Sequence, residues 1–158
     1  MINEINYNSS ESFDPDDWIE IYNKSDSTID ISTWLVKDSD DGHIFTIPSN
    51  TYLAANQYLV FCKDTQKFTT CFPNTTKFLG ELGFGLSGWS DIIRLYDFEG
   101  KLADIVEYDD GSPWPISADG NGPTIELKNP DLDNDSPESW AASSEFGTPG
   151  EINSVFTE

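Results

Sequence analysis

The sequence holds one histidine, one methionine, two cysteines and only eight lysines and arginines in 158 residues. Each scarcity removes a class of function. A lone His43 and no Cys-x-x-Cys leave no zinc ligand set of the usual spacing. The cysteines, Cys62 and Cys71, are close enough in sequence for a local disulfide or for two half-buried thiols, and spacing leaves both open. With 29 acids against eight bases the formal charge is −21, a surface that repels phosphate backbones, so nucleic acid is not the expected partner. Apolar runs extend only a few residues, too short to cross a bilayer as a helix, and no transmembrane segment is expected. No stretch keeps a helical hydrophobic period long enough for an amphipathic helix, and there is no fixed-period repeat or low-complexity tract.

What is abundant is aromatic. Five Trp, six Tyr and ten Phe make up 13% of the chain and give a few large side chains much of the expected burial. They sit in short extended runs. Ile2 to Tyr7 alternates apolar and polar residues, as a half-buried strand does. Trp18-Ile19-Glu20-Ile21-Tyr22 also alternates, placing Trp18, Glu20 and Tyr22 on one face and Ile19 and Ile21 on the other. Ile29 to Ile31 with Trp34 to Val36, and Ile44 to Ile47, read as further extended stretches. Tyr58 to Cys62 is continuously apolar and reads as a central strand. Thr65 to Phe72 has room for one short helical turn anchored by Phe68. Ile92 to Tyr96 and Leu102 to Tyr108 form a hairpin across the turn Asp97-Phe98-Glu99-Gly100. Thr124 to Leu127 is the last clear strand. The spacing predicts an all-β chain, a β-sandwich of about eight or nine short strands.

Four blocks carry a resemblance. They are Asp17 to Asn23, Leu86-Ser87-Gly88 ahead of Asp91 to Leu95, Trp114-Pro115 through Ala118-Asp119-Gly120 to Leu127, and Ser139-Trp140 with Gly147-Thr148-Pro149-Gly150 through Asn153. In this order they resemble the lamin tail domain, from about Ile2 to Asn153. The resemblance implies an immunoglobulin-like β-sandwich. It implies one domain over residues 1–158, its core at about 2–153 and a short tail at 154–158. It also implies a non-catalytic binding or assembly module, with no catalytic residues to carry over. Such domains end nuclear lamins and also occur in exported or surface proteins of bacteria and archaea, and this chain is similar to the prokaryotic sort. The expected setting is extracellular or at the bacterial cell surface, as a module of a longer precursor. There it would mediate protein–protein contact or anchor and space an attached domain, with the partner and oligomeric state unspecified. A nuclear lamin tail is the less favoured alternative, because the chain is strongly acidic and shows no heptad rod.

The block residues themselves read as structural. Trp18, Trp34, Trp114 and Trp140 are expected to pack in or against the core. Gly120 and Gly122 are expected to supply backbone angles that a Cβ would forbid. Gly147 to Gly150 is expected to terminate the fold and release the chain. Most acids are expected to be solvated.

No cofactor is required. Calcium is the one ion for which the sequence offers a loop, at Asn129 to Glu138. Calcium takes six to eight hard oxygens, and Asp131, Asp133 and Asp135 alternate there, with Asn134 and Glu138 able to add oxygens. The glycine and terminal-glutamate spacing of an EF-hand is absent. A calcium-dependent carbohydrate- or surface-binding domain is therefore the alternative function. Asp14, Asp16 and Asp17, and Asp38, Asp40 and Asp41, are lesser acidic clusters. Ser87 lacks the Gly-x-Ser-x-Gly elbow, and nothing points a nucleophile at His43, so no enzyme is expected.

Overall fold

Alternation decides which residues face inward. The computed structural model describes all 158 residues. Five strands set the pattern of the larger sheet: β1 (Ile2–Asn6), β2 (Trp18–Tyr22), β7 (Tyr58–Cys62), β11 (Ile125–Leu127) and β12 (Trp140–Ala142). With β8 (Phe78–Gly80) they form a six-stranded sheet in the order β12-β11-β1-β2-β7-β8. All its pairings are antiparallel except β7 with β8. The smaller sheet runs β10-β9-β4-β5, from β10 (Leu102–Asp109), β9 (Ser90–Tyr96), β4 (Leu35–Lys37) and β5 (Phe45–Thr46). A two-residue ribbon pairs β3 (Ile29–Asp30) with β6 (Tyr52–Leu53). The single helix, α1 (Thr65–Cys71), is capped by Asp64, whose side chain accepts from the Lys67 N–H at 2.9 Å.

The main core lies between the sheets. Ile5, Ile19, Phe61, Ile125 and Leu127 from the larger sheet meet Val36, Ile93, Leu95, Val106 and Tyr108 from the smaller. Each such side chain contributes about 1.5–3 kcal/mol on burial. This is the expected immunoglobulin-like sandwich, with more strands than the eight or nine expected. The third extended stretch divides into β3 and β4. Three strands are new: β6, β8 and β12. β6 has two residues and β8 and β12 three each, too short to show a period of two.

The tryptophans divide. Trp18, Trp114 and Trp140 are buried, and Trp34 is partly buried against the core. Trp114 and Trp140 pack with ring centroids 5.9 Å apart within the main core. Trp89 is 77% exposed. Gly120 and Gly122 have φ of +68° and +112°, the backbone region expected of them. Cys62 and Cys71 are free thiols.

The outer face of the larger sheet departs from expectation. β1 is not half-buried, because Asn3, Glu4 and Asn6 are as buried as Ile2 and Ile5. A second layer covers that face. At one end α1 lays Phe68 over Trp18, Val60 and Cys62. At the other, the chain beyond β12 folds back across β11, β1 and β2.

Candidate functional site

Under that returning segment lies a row of carboxyl groups. β1 pairs with β11 at Glu4↔Glu126 and with β2 at Glu4↔Glu20, so three glutamates sit side by side on neighbouring strands. All three are 0% exposed. They are exceptions among acids that are mostly at the surface, and the signal that marks them is local. In Ile19-Glu20-Ile21 and Ile125-Glu126-Leu127 a glutamate stands between two inward-facing aliphatics. Once the outer face is covered, that places it in the interior.

Neutral donors reach the row from Gly147 to Val155. Thr148 gives its N–H to Glu4 Oε1 at 3.0 Å and its hydroxyl to Glu126 Oε1 at 2.7 Å. The Gly150 N–H meets Glu20 Oε2 at 2.6 Å. The Ser154 hydroxyl and the Val155 N–H both reach Glu126 Oε2. From within the sheet, Thr124 Oγ1 donates to Glu4 Oε1 at 2.6 Å and Asn3 Nδ2 to Glu20 Oε1 at 2.9 Å. Asn153 is buried beside them and donates to the Leu127 carbonyl at 2.8 Å. The expectation that Gly147 to Gly150 releases the chain is therefore corrected. These residues begin a strap, which continues to a bond between the Thr157 N–H and the Lys128 carbonyl. The motif was read as a stop because Gly-Thr-Pro-Gly is turn chemistry, and turn chemistry does not show where the chain goes next.

No cation enters the row; no salt bridge involves any of the three glutamates. Glu4 Oε2 is buried with no hydrogen-bond partner. Burial holds the Glu4 carboxyl well above the usual glutamate range, and Glu20 and Glu126 add to the rise. Burial likewise pushes Glu20 up to about 8, against the bonds from Gly150 and Asn3, with Glu126 adding to the rise.

The loop from Asn129 to Glu138 is arranged differently. Asp131, Asp133 and Asp135 are exposed, whereas Asn134 is buried and faces the interior. Asn134 donates to Asp104 Oδ2 and to the Ile2 carbonyl, and its own carbonyl accepts from Trp140 Nε1. Asn129 Oδ1 and Asp133 Oδ1 each accept the N–H two residues on, as Asx turns do. Glu138 accepts from Ser136 Oγ at 2.8 Å, and Asp131 lies 3.7 Å from Lys24. Of the three alternating acids only Asp133 bonds the local backbone; Asp131 faces Lys24. No group of three or more His, Cys, Asp or Glu side chains in the protein is placed to hold a metal ion.

The two lesser acidic clusters carry their own cations. Asp14 and Asp16 meet Lys67 and Lys63, and Asp41 meets Arg94 at 2.8 Å. Asp17 accepts the Leu86 N–H, and its burial pushes its carboxyl up to about 6. His43 bonds Asp38 at 2.7 Å and stacks on Phe84; the Asp38 bond raises the imidazole above its ordinary value. No hydroxyl or thiol hydrogen-bonds His43, so the Asp–His pair has no nucleophile to activate.

Four strands, β12, β8, β10 and β5, lie at the edges of the two packed sheets. β10 is the longest strand and has a single neighbour, β9. The Asp110 N–H bonds the Trp89 carbonyl at 2.7 Å. By antiparallel alternation the backbone groups of Tyr108 and Val106 also face β9, and those of Ile105, Glu107 and Asp109 face away. Glu107 and Asp109 are exposed, and the exposed Trp89, opposite Asp110, immediately precedes β9.

Two packed sheets with aromatic side chains in and around their shared core define an immunoglobulin-like β-sandwich. The chain belongs to the lamin tail domain family, whose model matches residues 1–110. The match takes in the Trp18 to Asn23 and Leu86 to Leu95 blocks and every strand through β10. The Trp114 block, Glu126 and the strap lie beyond it. Among curated proteins none matches the chain. No helix is long and apolar enough to cross a membrane.

Proposed function

We propose that this domain is a non-catalytic contact module of a bacterial exported or surface protein, and that it receives an extended, basic segment of a partner along β10. The observation that supports this reading is the open eight-residue edge itself. Strand addition supplies main-chain hydrogen bonds to Ile105, Glu107 and Asp109, and the exposed carboxylates select lysine or arginine at alternate positions. A second copy of the same chain would bring like charges to that edge, which disfavours self-pairing. Trp89 offers a ring face to a cation at the end of the strand.

A peptide of alternating lysine and valine tests the reading by NMR titration. Shifts concentrated on the Ile105, Glu107 and Asp109 amides, and lost in a Glu107→Lys, Asp109→Lys double variant, are the expected result. Shifts scattered over all the acidic surface and erased by moderate salt would show general charge attraction only.

A calcium-dependent carbohydrate- or surface-binding domain is the second reading, resting on the exposed Asp131, Asp133 and Asp135 of one loop. Melting with calcium and then with a chelator separates the two, since an ion bound only by the native state must raise the melting temperature. The contact-module reading expects no change. A rise that the chelator reverses, and that Asp133→Asn removes, assigns the loop a cation.

A further inference from the structure

Three neighbouring carboxyl groups with no cation cannot all be ionised in an interior at low cost. The row therefore requires bound protons while its cover is in place. The cover is the strap, which meets the row only through neutral N–H and O–H donors. The central carboxyl shows the same demand from its other side. Glu4 Oε1 is fully occupied by Thr124 and Thr148, whereas Oε2 has no donor at all despite complete burial. A lone carboxylate oxygen in that position is costly, and a protonated one is far less so.

We propose that Glu4, Glu20 and Glu126 form a proton-binding site that latches the strap, residues 147–155, onto the larger sheet. Proton uptake closes the strap, and proton loss sets like charges side by side beneath it and opens it. The domain body, whose core lies on the opposite face of the sheet, stays folded. Opening uncovers the outer face of β11, β1 and β2. The surroundings offer no competing charge from inside. Tyr22 and Tyr58 stack beside Glu20 on β2 and β7, and burial raises the Tyr58 phenol to about 12. Glu145 and Glu151 of the returning segment are exposed, and Lys77 stands only at the rim of the groove that Gly150 and Glu151 line.

The direction in pH follows from linkage. Between the ordinary glutamate value and the raised Glu20 value of about 8, the closed form holds a proton that a solvated chain has released. Stability of the closed form is therefore fully present below the ordinary value and is lost as pH rises through about 8.

Two measurements on the intact protein test the latch. Side-chain carboxyl carbons titrated by NMR are expected to show a glutamate midpoint well above the usual range. Amide exchange at Thr148, Gly150 and Val155, corrected for base catalysis, is expected to lose roughly tenfold protection per pH unit between the ordinary glutamate value and that midpoint, the slope of one linked proton, and to level off above it. Core amides of β2 and β9 are expected to stay protected. Glu4→Gln places an amide nitrogen where Oε2 has no donor and mimics the neutral acid, so its strap is expected to remain protected at alkaline pH. Glutamates that all titrate near the ordinary value of about 4.3 would overturn the proposal. So would a raised midpoint with strap protection flat over the pH units below it, or a Glu4→Gln variant whose strap opens at the same pH as the parent.

Discussion

Replacing Gly147 with alanine is expected to destabilise the domain by about 3 kcal/mol, lowering the melting temperature by roughly 10 °C for a chain of this size. Two terms combine. Gly147 has φ of +96°, where an L side chain is strained by about 1–2 kcal/mol. An added Cβ would also lie 2.4 Å from Glu4 Oε1 and 2.9 Å from Thr124 Cγ2. Glu4 Oε1 cannot yield, because it accepts from both Thr124 Oγ1 and Thr148 N. Moving it leaves those donors unmatched in the interior, at about 1–3 kcal/mol. Gly150 is the control. Its φ is +89°, but the nearest atom to an added Cβ is Thr75 Cγ2 at an ordinary 3.5 Å. Gly150→Ala is therefore expected to show only the backbone term, about 1 kcal/mol. Urea denaturation of both variants measures the difference. Equal costs would show that the approach to Glu4 carries no energy.

The contrast between these glycines marks what could be read from the sequence. Both were visible as turn residues. That one of them abuts a buried carboxyl depends on a contact 144 positions apart in the chain, between Glu4 and Thr148. The division of β2 into a Trp18, Glu20, Tyr22 face and an Ile19, Ile21 face was legible, because period two is a local property of a strand. That the first face is also covered was not. An acid at the polar position of an alternating strand looks solvated until a later segment returns over it. The hairpin of β9 and β10 was legible for the same local reason, through its turn at Asp97 to Gly100. The Asp131, Asp133, Asp135 alternation shows the converse. Its spacing suits calcium and Asx turns equally, and of the three acids Asp133 makes an Asx-type bond to the local backbone.

Trp18→Ala is expected to cost about 4 kcal/mol, the middle of the range for emptying a large aromatic site. Trp18 is 0% exposed and stands opposite Cys62 on β7 and Asn6 on β1, at the centre of the second core. Its ring meets Phe68 at 5.9 Å and Phe72 at 5.8 Å, both edge-on. Phe68 is the only buried residue of α1, so the contact to Trp18 is a principal reason the helix stays docked. A helix of seven residues has little stability of its own. The loss should therefore be local as well as global, with α1 amides exchanging far faster than those of the sandwich core. Trp18→Phe separates packing from polarity. The indole Nε1 is buried without an acceptor, so phenylalanine removes an unmet donor together with part of the ring. The expected cost is only about 1–2 kcal/mol, because the two effects oppose each other. Denaturation and amide exchange on both variants measure this. A Trp18→Ala domain that kept α1 protected would show that the helix is held from elsewhere, and the second core would then be a consequence of the fold rather than one of its supports.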